Sequence, residues 1–267
     1  MDRMEKEQNQ TDSALPAMRR TEILRFIKQF GQITVTEMSA RFEVSLDTIR
    51  RDLDNLADQG LIRRTHGGAV PIDSMASADS PFEERINARQ VAKTSIGRTA
   101  AQLISEGETL IVNGGSTAVA FAASLGDLQR LTIVTNNLSL PAAIPPMPMT
   151  SLYLIGGEIR SGARVTLGPV GFAGARQIIA DTAVIGVGGI TEDGISTSRI
   201  EEAMMMASMI SAARRTIVIA DKTKLGRLGF AVVAPLDQLD VLVTDEEPQG
   251  ELKVALEAAG VRIVVAT

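Results

Sequence analysis

The chain has no cysteine and no tryptophan among its 267 residues, and it has one histidine and one tyrosine. Without cysteine there are no disulfides, no thiolate zinc sites and no thiol nucleophiles, and folding does not depend on an oxidising compartment. A lone histidine leaves a metal centre without its commonest ligand pair. Long apolar runs are missing as well: nothing approaches the roughly 18 residues that cross a bilayer, and the first residues, MDRMEKEQNQTDSALP, have no apolar leader core. The sequence therefore predicts a soluble, cytoplasmic protein with no membrane segment. Residues 1–17 offer almost nothing to bury and are expected to be a disordered tail.

What is present is a hydrophobic content of 45% and a net charge of -5, unevenly spread. Residues 18–71 hold nine Lys/Arg against seven Asp/Glu, so a mildly basic module precedes an acidic remainder. In that module Ile23, Ile27 and Phe30 recur at helical spacing before Gly31. A second short helix is expected with Thr36 as its cap and Met38 and Phe42 inward. After Glu43 and Val44, Ser45 is placed to cap a third helix, whose buried stripe is Leu46, Ile49, Leu53 and Leu56. Asp47, Thr48, Arg50, Arg51, Asp54 and Asn55 are left outside, and Gly60 ends the helix.

A short helix, a tight turn and a polar-faced helix form the arrangement that lays its second helix in the DNA major groove. Thr48 and Arg51 share a face. A plainer account pairs Asp47 with Arg51 and Arg50 with Asp54 as surface ion pairs four residues apart. The following stretch, LIRRTHGGAV, adds a second arginine pair, Arg63 and Arg64, then His66, Gly67 and Gly68, in two short strands about a glycine-rich tip. This is a basic wing beside the helix.

SLDTIRRDLDNLADQGLIRRTHGGAV, preceded by RRTEILRFIKQFGQITVTEMSARFEV, resembles the signature of the DeoR family of bacterial transcriptional regulators. The resemblance implies a winged helix-turn-helix over residues 18–72 that binds double-stranded operator DNA, commonly as the repressor of a carbohydrate-utilisation operon. Ser45, Asp47, Thr48, Arg50, Arg51, Arg63, Arg64, His66 and Gly67 are the expected DNA-contacting residues.

Residues 73–90 read as a linker and the start of a connecting helix. Over 91–267, apolar runs alternate with helical stretches: ETLIV, LTIVTNN, SLYLIGGE, TAVIGVGGI, RTIVIADKTK, DVLVTDE and VRIVVA. Such uninterrupted runs suit strands buried on both faces of a mostly parallel α/β sheet. Ligands on these sheets lie beyond the carboxyl ends of the strands. Gly114, Gly115, Ser116, Thr117, Thr135, Asn136, Gly156, Gly157, Glu158, Gly188, Gly189, Asp221 and Lys224 are expected there, with GGST leading into a helix as a phosphate cradle. The family resemblance extends through GGST, TNN, IGGE and DKTKLG. It implies a sensor folded like ribose-5-phosphate isomerase that binds a phosphorylated sugar or polyol, with Lys224 as a cation. One departure is Asn113, where the family commonly has Asp.

The alternative is a sugar-phosphate isomerase with an attached DNA-binding module, using Glu158, Asp221 and Lys224. A ligand-controlled regulator without catalytic residues, metal or cofactor is the favoured reading. It is expected to be a homo-oligomer, dimer or tetramer, whose modules read paired half-sites. In EEAMMMASMISAARR, Met205 and Met209 are expected in the core or at a subunit interface, with Arg214 and Arg215 at the helix end. The proline-rich 141–148 has no functional account.

Overall fold

The computed structural model describes residues 16, 18–27, 33–64, 68–71, 81–146, 150–168 and 178–267, and the chain divides into two units, Met1–Ala76 and Ser77–Thr267. In the first unit, α1 (18–27), α2 (Val35–Phe42) and α3 (Leu46–Asp58) accompany a small antiparallel sheet of β1 (Ile33–Thr34), β2 (Ile62–Arg64) and β3 (Gly68–Pro71), in the order β1-β3-β2. Ile23, Ile27, Met38, Ile49, Leu53, Leu56 and Ile62 form its core. This is the helix-turn-helix with strands that the sequence predicts.

Two details differ. The cap of α2 is Thr34, not Thr36: the Thr34 hydroxyl accepts from the Glu37 N–H at 3.2 Å, and the Glu37 carboxylate accepts from the Thr34 N–H at 2.8 Å. That reciprocal pair satisfies two donors the helix cannot. Leu46 is 42% exposed and lies outside the buried stripe, whereas Asp52 is 4% exposed and lies within it. Asp52 is tolerated there because Arg19 of α1 meets it at 2.6 Å and Arg20 at 3.7 Å.

The turn between α2 and α3 is fixed locally. Glu43 takes a left-handed conformation (φ 53°), the Val44 N–H donates to the Ser39 carbonyl at 3.3 Å, and the Ser39 hydroxyl donates to the Val44 carbonyl at 2.6 Å.

The second unit is an α/β layer structure. Seven parallel strands stand in the order β15-β14-β12-β9-β4-β5-β6. They are β4 (Thr109–Val112), β5 (Thr132–Thr135), β6 (Ser151–Leu154), β9 (Ala180–Gly186), β12 (Ala213–Ile219), β14 (Val241–Thr244) and β15 (Arg262–Val265). All seven predicted runs contribute one of them. The five inner strands carry buried apolar residues on both sides, whereas of the two edge strands β6 is exposed at every residue and β15 has no buried residue.

Shorter pieces complete the unit: a hairpin of β7 (Glu158–Arg160) with β8 (Val165–Leu167), and an antiparallel sheet of β10 (Gly189–Thr191), β11 (Gly194–Thr197) and β13 (Ala231–Ala234). The described helices are α4 (Phe82–Asn87), α5 (Gln90–Ala101), α6 (Ser116–Ala123), α7 (Leu140–Ala143), α8 (Ile200–Ser211) and α9 (Gly250–Ala258). α4 lies in the stretch expected as linker. It belongs to the second unit because Phe82 is buried, its N–H donates to the Gly162 carbonyl at 2.9 Å, and Glu83 pairs with Arg164 at 2.8 Å.

Met205 and Met209 of α8 are core residues, as expected. Arg214 and Arg215 are not at the helix end but in β12, where Arg215 donates to the Leu103 carbonyl at 2.9 Å and meets Glu108 at 3.4 Å. Pro141 begins the short α7, where its missing N–H costs nothing. Among the described residues no helix is long and apolar enough to cross a membrane.

Candidate functional site

In the parallel sheet the chain leaves β4 toward β5 and β6 on one side, and leaves β9 toward β12 and β14 on the other. The reversal opens a crevice between the carboxyl ends of β4 and β9. Asn113 spans it. Its Nδ2 donates to the Gly186 carbonyl at 2.8 Å and its Oδ1 accepts from the Gly186 N–H at 2.7 Å. The position therefore requires a donor and an acceptor at once, which an ionised Asp cannot supply. Asn113→Asp is expected to lose one bond and set a carboxylate against a carbonyl. The expected cost is about 1–2 kcal/mol, read as a lower midpoint in urea unfolding.

A cavity of about 370 Å³ opens from this point, within the size range of small-ligand sites. Gly114, Gly115, Ser116, Thr117, Asn136, Gly188, Asp221 and Lys224 all line it, as the sequence predicts. Gly115 has φ 136°, a left-handed value that favours glycine, and a Cβ on Gly114 would stand 2.2 Å from Val165 Cγ1. The two glycines bring backbone to the cavity wall and start α6 with no side-chain cap. The first N–H groups of that helix favour an anion. Asn137 holds the loop by donating to the Gly115 carbonyl at 3.2 Å. Asn136 is 3% exposed and donates to the Thr166 carbonyl at 2.9 Å, while its Oδ1 is buried with no hydrogen-bond partner. An acceptor so placed suits a ligand hydroxyl.

Five expected residues lie elsewhere. Thr135 is fully buried, its hydroxyl donating to the Val112 carbonyl at 2.7 Å and accepting from the Asn137 N–H at 3.0 Å. Gly156, Gly157 and Glu158 do not line the cavity. A Cβ on Gly157 would meet the Leu167 carbonyl oxygen at 2.4 Å, so this glycine permits a close strand approach, and Glu158 is exposed on β7. Gly189 likewise serves packing, against the Arg227 carbonyl.

The sequence reading missed the opposite wall. Arg85, Arg89 and Lys93 line the cavity from α4, its following turn and α5. Arg89 has φ 52°, with Nη2 at 2.6 Å from Asp245 and Nε at 3.3 Å from Asp221. Asp221 also accepts from the N–H and hydroxyl of Thr223. Lys93 is buried and donates to the Arg85 carbonyl and, at 2.8 Å, to the Ala88 carbonyl. Burial pulls its ammonium below the usual lysine range, Asp221 opposes this, and Arg85 and Arg89 reinforce it. The signal was a four-residue spacing of basic side chains, 85, 89 and 93, which crosses from the stretch read as linker and helix start into the expected sensor domain. Of the two carboxylates expected for an isomerase, Glu158 lies outside the cavity and Asp221 is engaged by Arg89 and Thr223.

In the first unit, Ser45, Asp47, Arg50 and Arg51 are exposed on α3 and Thr48 is half-buried. The Ser45 hydroxyl caps the helix, accepting from the Thr48 N–H at 3.2 Å. Arg50 pairs with Asp47 at 2.8 Å, not with Asp54, which meets Arg64 of β2 at 3.2 Å. Neither predicted four-residue pair forms, and among the described residues Arg51 has no ion pair. Arg63 lies in β2, and His66 and Gly67 fall outside the described residues.

Comparison with known proteins agrees with both units. Residues 19–75 match the DeoR-like helix-turn-helix domain and residues 88–246 the DeoR C terminal sensor domain. The chain is 33% identical to the HTH-type transcriptional repressor GlcR of Bacillus subtilis (strain 168), over 91% of this chain and 93% of that one. It is 32% identical to the glycerol-3-phosphate regulon repressor of Escherichia coli (strain K12), over 85% and 89%. A solved ribose 5-phosphate isomerase A from Methanocaldococcus jannaschii is similar at 16% identity and a TM-score of 0.36, over 52% and 55%. A helix-turn-helix unit, a parallel α/β sensor with an anion-ready cavity, and repressors alike over nearly the whole length place this chain in the DeoR family of transcriptional regulators, and not among enzymes.

Proposed function

We propose that the protein represses a carbohydrate or polyol utilisation operon and is released from its operator by a phosphorylated sugar or polyol. The observation that carries this is the cavity's chemistry. An uncapped helix start and basic residues suit a phosphate, and the unpartnered Asn136 Oδ1 suits a hydroxyl. The relative named as a glycerol-3-phosphate regulon repressor supports the ligand class.

In this reading the phosphate rests on the N–H groups at Ser116 and Thr117, with Lys224 nearby. The carbon chain lies toward Asn136. Arg85, Arg89 and Lys93 close the wall. A coupling of about 1–3 kcal/mol lowers operator affinity by roughly 5- to 150-fold.

The test is a thermal-shift screen comparing sugar phosphates with the unphosphorylated sugars, followed by operator binding with each hit. Stabilisation by phosphorylated compounds alone, with operator release, is the expected result. Equal stabilisation by free sugars would overturn the phosphate assignment.

On the DNA side, Arg51 is the side chain proposed to read a base, beside Thr48. Arg51→Ala is expected to weaken operator binding by about 1–3 kcal/mol and relax base preference, measured by fluorescence anisotropy on operator and mutated half-sites. Arg50→Ala, which removes a residue already paired with Asp47, is expected to cost less.

A further inference from the structure

β6 has the composition of a buried strand, yet Leu152, Tyr153 and Leu154 are all exposed. It is the last strand of the seven-stranded sheet, and among the described residues no strand pairs with its outer edge. Shortly after it β7 pairs on one side only, with β8, and presents Ile159 at 62% exposure. An open edge bearing large apolar side chains is a template for another strand, and an exposed apolar area of this kind marks an interaction surface.

The charges of β7 identify the occupant. Glu158 and Arg160 flank Ile159 and share one face of the strand. Among the described residues neither has an ion pair, and Arg160 Nη1 is buried with no hydrogen-bond partner. If two copies of β7 pair antiparallel about Ile159, each Glu158 stands directly opposite the other copy's Arg160, and the two-fold axis makes the contact twice. Centring the pair on residue 158 or 160 instead sets like charges face to face, so the sequence Glu-Ile-Arg also selects the register.

We infer that the free edge of β7 is the surface on which a second copy of this chain docks, with the β7 strands antiparallel about Ile159. Ile159 of both copies is covered, and the two Glu158 to Arg160 contacts fix orientation. The inference does not rest on the effector reading.

The test uses the full chain in sedimentation velocity over a concentration series, without DNA or effector. The parent chain is expected to be at least a dimer. Glu158→Arg and Arg160→Glu are each expected to raise the dissociation constant of one association step at least tenfold. Mixing these two variants one to one restores association, because every mixed contact again joins opposite charges. The double exchange Glu158→Arg with Arg160→Glu restores it within one chain. Recovery in the mixture also shows that both variants are folded. A monomeric parent, single variants that associate like the parent, or a mixture and a double exchange that both stay dissociated would overturn the inference.

Discussion

Thr117→Asp is expected to fold at least as well as the parent chain and to lose its response to the phosphorylated effector. Thr117 is the second residue of α6, whose Gly115 cap supplies no side-chain hydrogen bond. A carboxylate in the first turn of a helix stabilises it by about 0.3–1 kcal/mol through the helix dipole. The same carboxylate stands in the cavity where the phosphate is proposed to rest. At an effective dielectric of about 20, two like charges about 5 Å apart repel by about 3 kcal/mol, roughly a hundredfold in affinity, and a dianionic phosphate suffers more. Thr117→Asn, similar in size but neutral, is expected to keep most of the affinity. Titration calorimetry with a sugar phosphate reads the difference, and operator binding without effector is expected to be unchanged. In cells the Asp variant is expected to repress the proposed operon without being induced. An Asp variant that binds the sugar phosphate as tightly as the parent would falsify the placement of the phosphate on α6.

The reach of the sequence can be judged from particular residues. The seven parallel strands were legible because burial on both faces demands continuous β-branched and apolar runs. β7, β8, β11 and β13 were not, since pieces such as GIST or VTL are too short to show a period. β6 shows how the rule misleads: its run is as apolar as the others, and only the fold reveals an edge. GGST and IGGE look alike as glycine turns after strands, yet one borders the cavity and the other relieves a close approach to Leu167. Nothing within either tetrapeptide separates these two cases, because the decisive contact comes from β8, at Val165 for Gly114 and at Leu167 for Gly157. The Thr34 cap was legible, for Glu37 follows it at the spacing of a capping box. The cationic wall was legible in its spacing, but Arg85 and Arg89 were assigned to a linker and helix start, because α4 is held to the second unit by Gly162 and Arg164, far along the chain.

Asp52→Ala is expected to destabilise the DNA-binding unit by about 3 kcal/mol, although Asp52 is buried and is not among the residues proposed to read DNA. Asp52 sits in line with Leu53 and Leu56 and is 4% exposed. Its carboxylate accepts from Arg19 Nε at 2.6 Å and lies 3.7 Å from Arg20 Nη1, so it ties α3 to α1 across 33 positions of sequence. Removing one partner of a buried pair costs more than the pair contributes, because the remaining charge stays poorly solvated. The two arginines keep some access to solvent, which holds the cost to the low end of the usual range of about 3–5 kcal/mol. Asp52→Asn preserves shape and one acceptor and is expected to cost less. Hydrogen exchange in the full chain reads this locally: amides of α3 (Leu46–Asp58) are expected to exchange on the order of a hundred times faster in the Ala variant, with the second unit unaffected. Operator binding weakens in parallel, since the free energy of ordering α3 is then supplied on the DNA. Unchanged protection of α3 would show that the apolar stripe alone orients this helix, and that the Arg19 to Asp52 contact contributes nothing to its position.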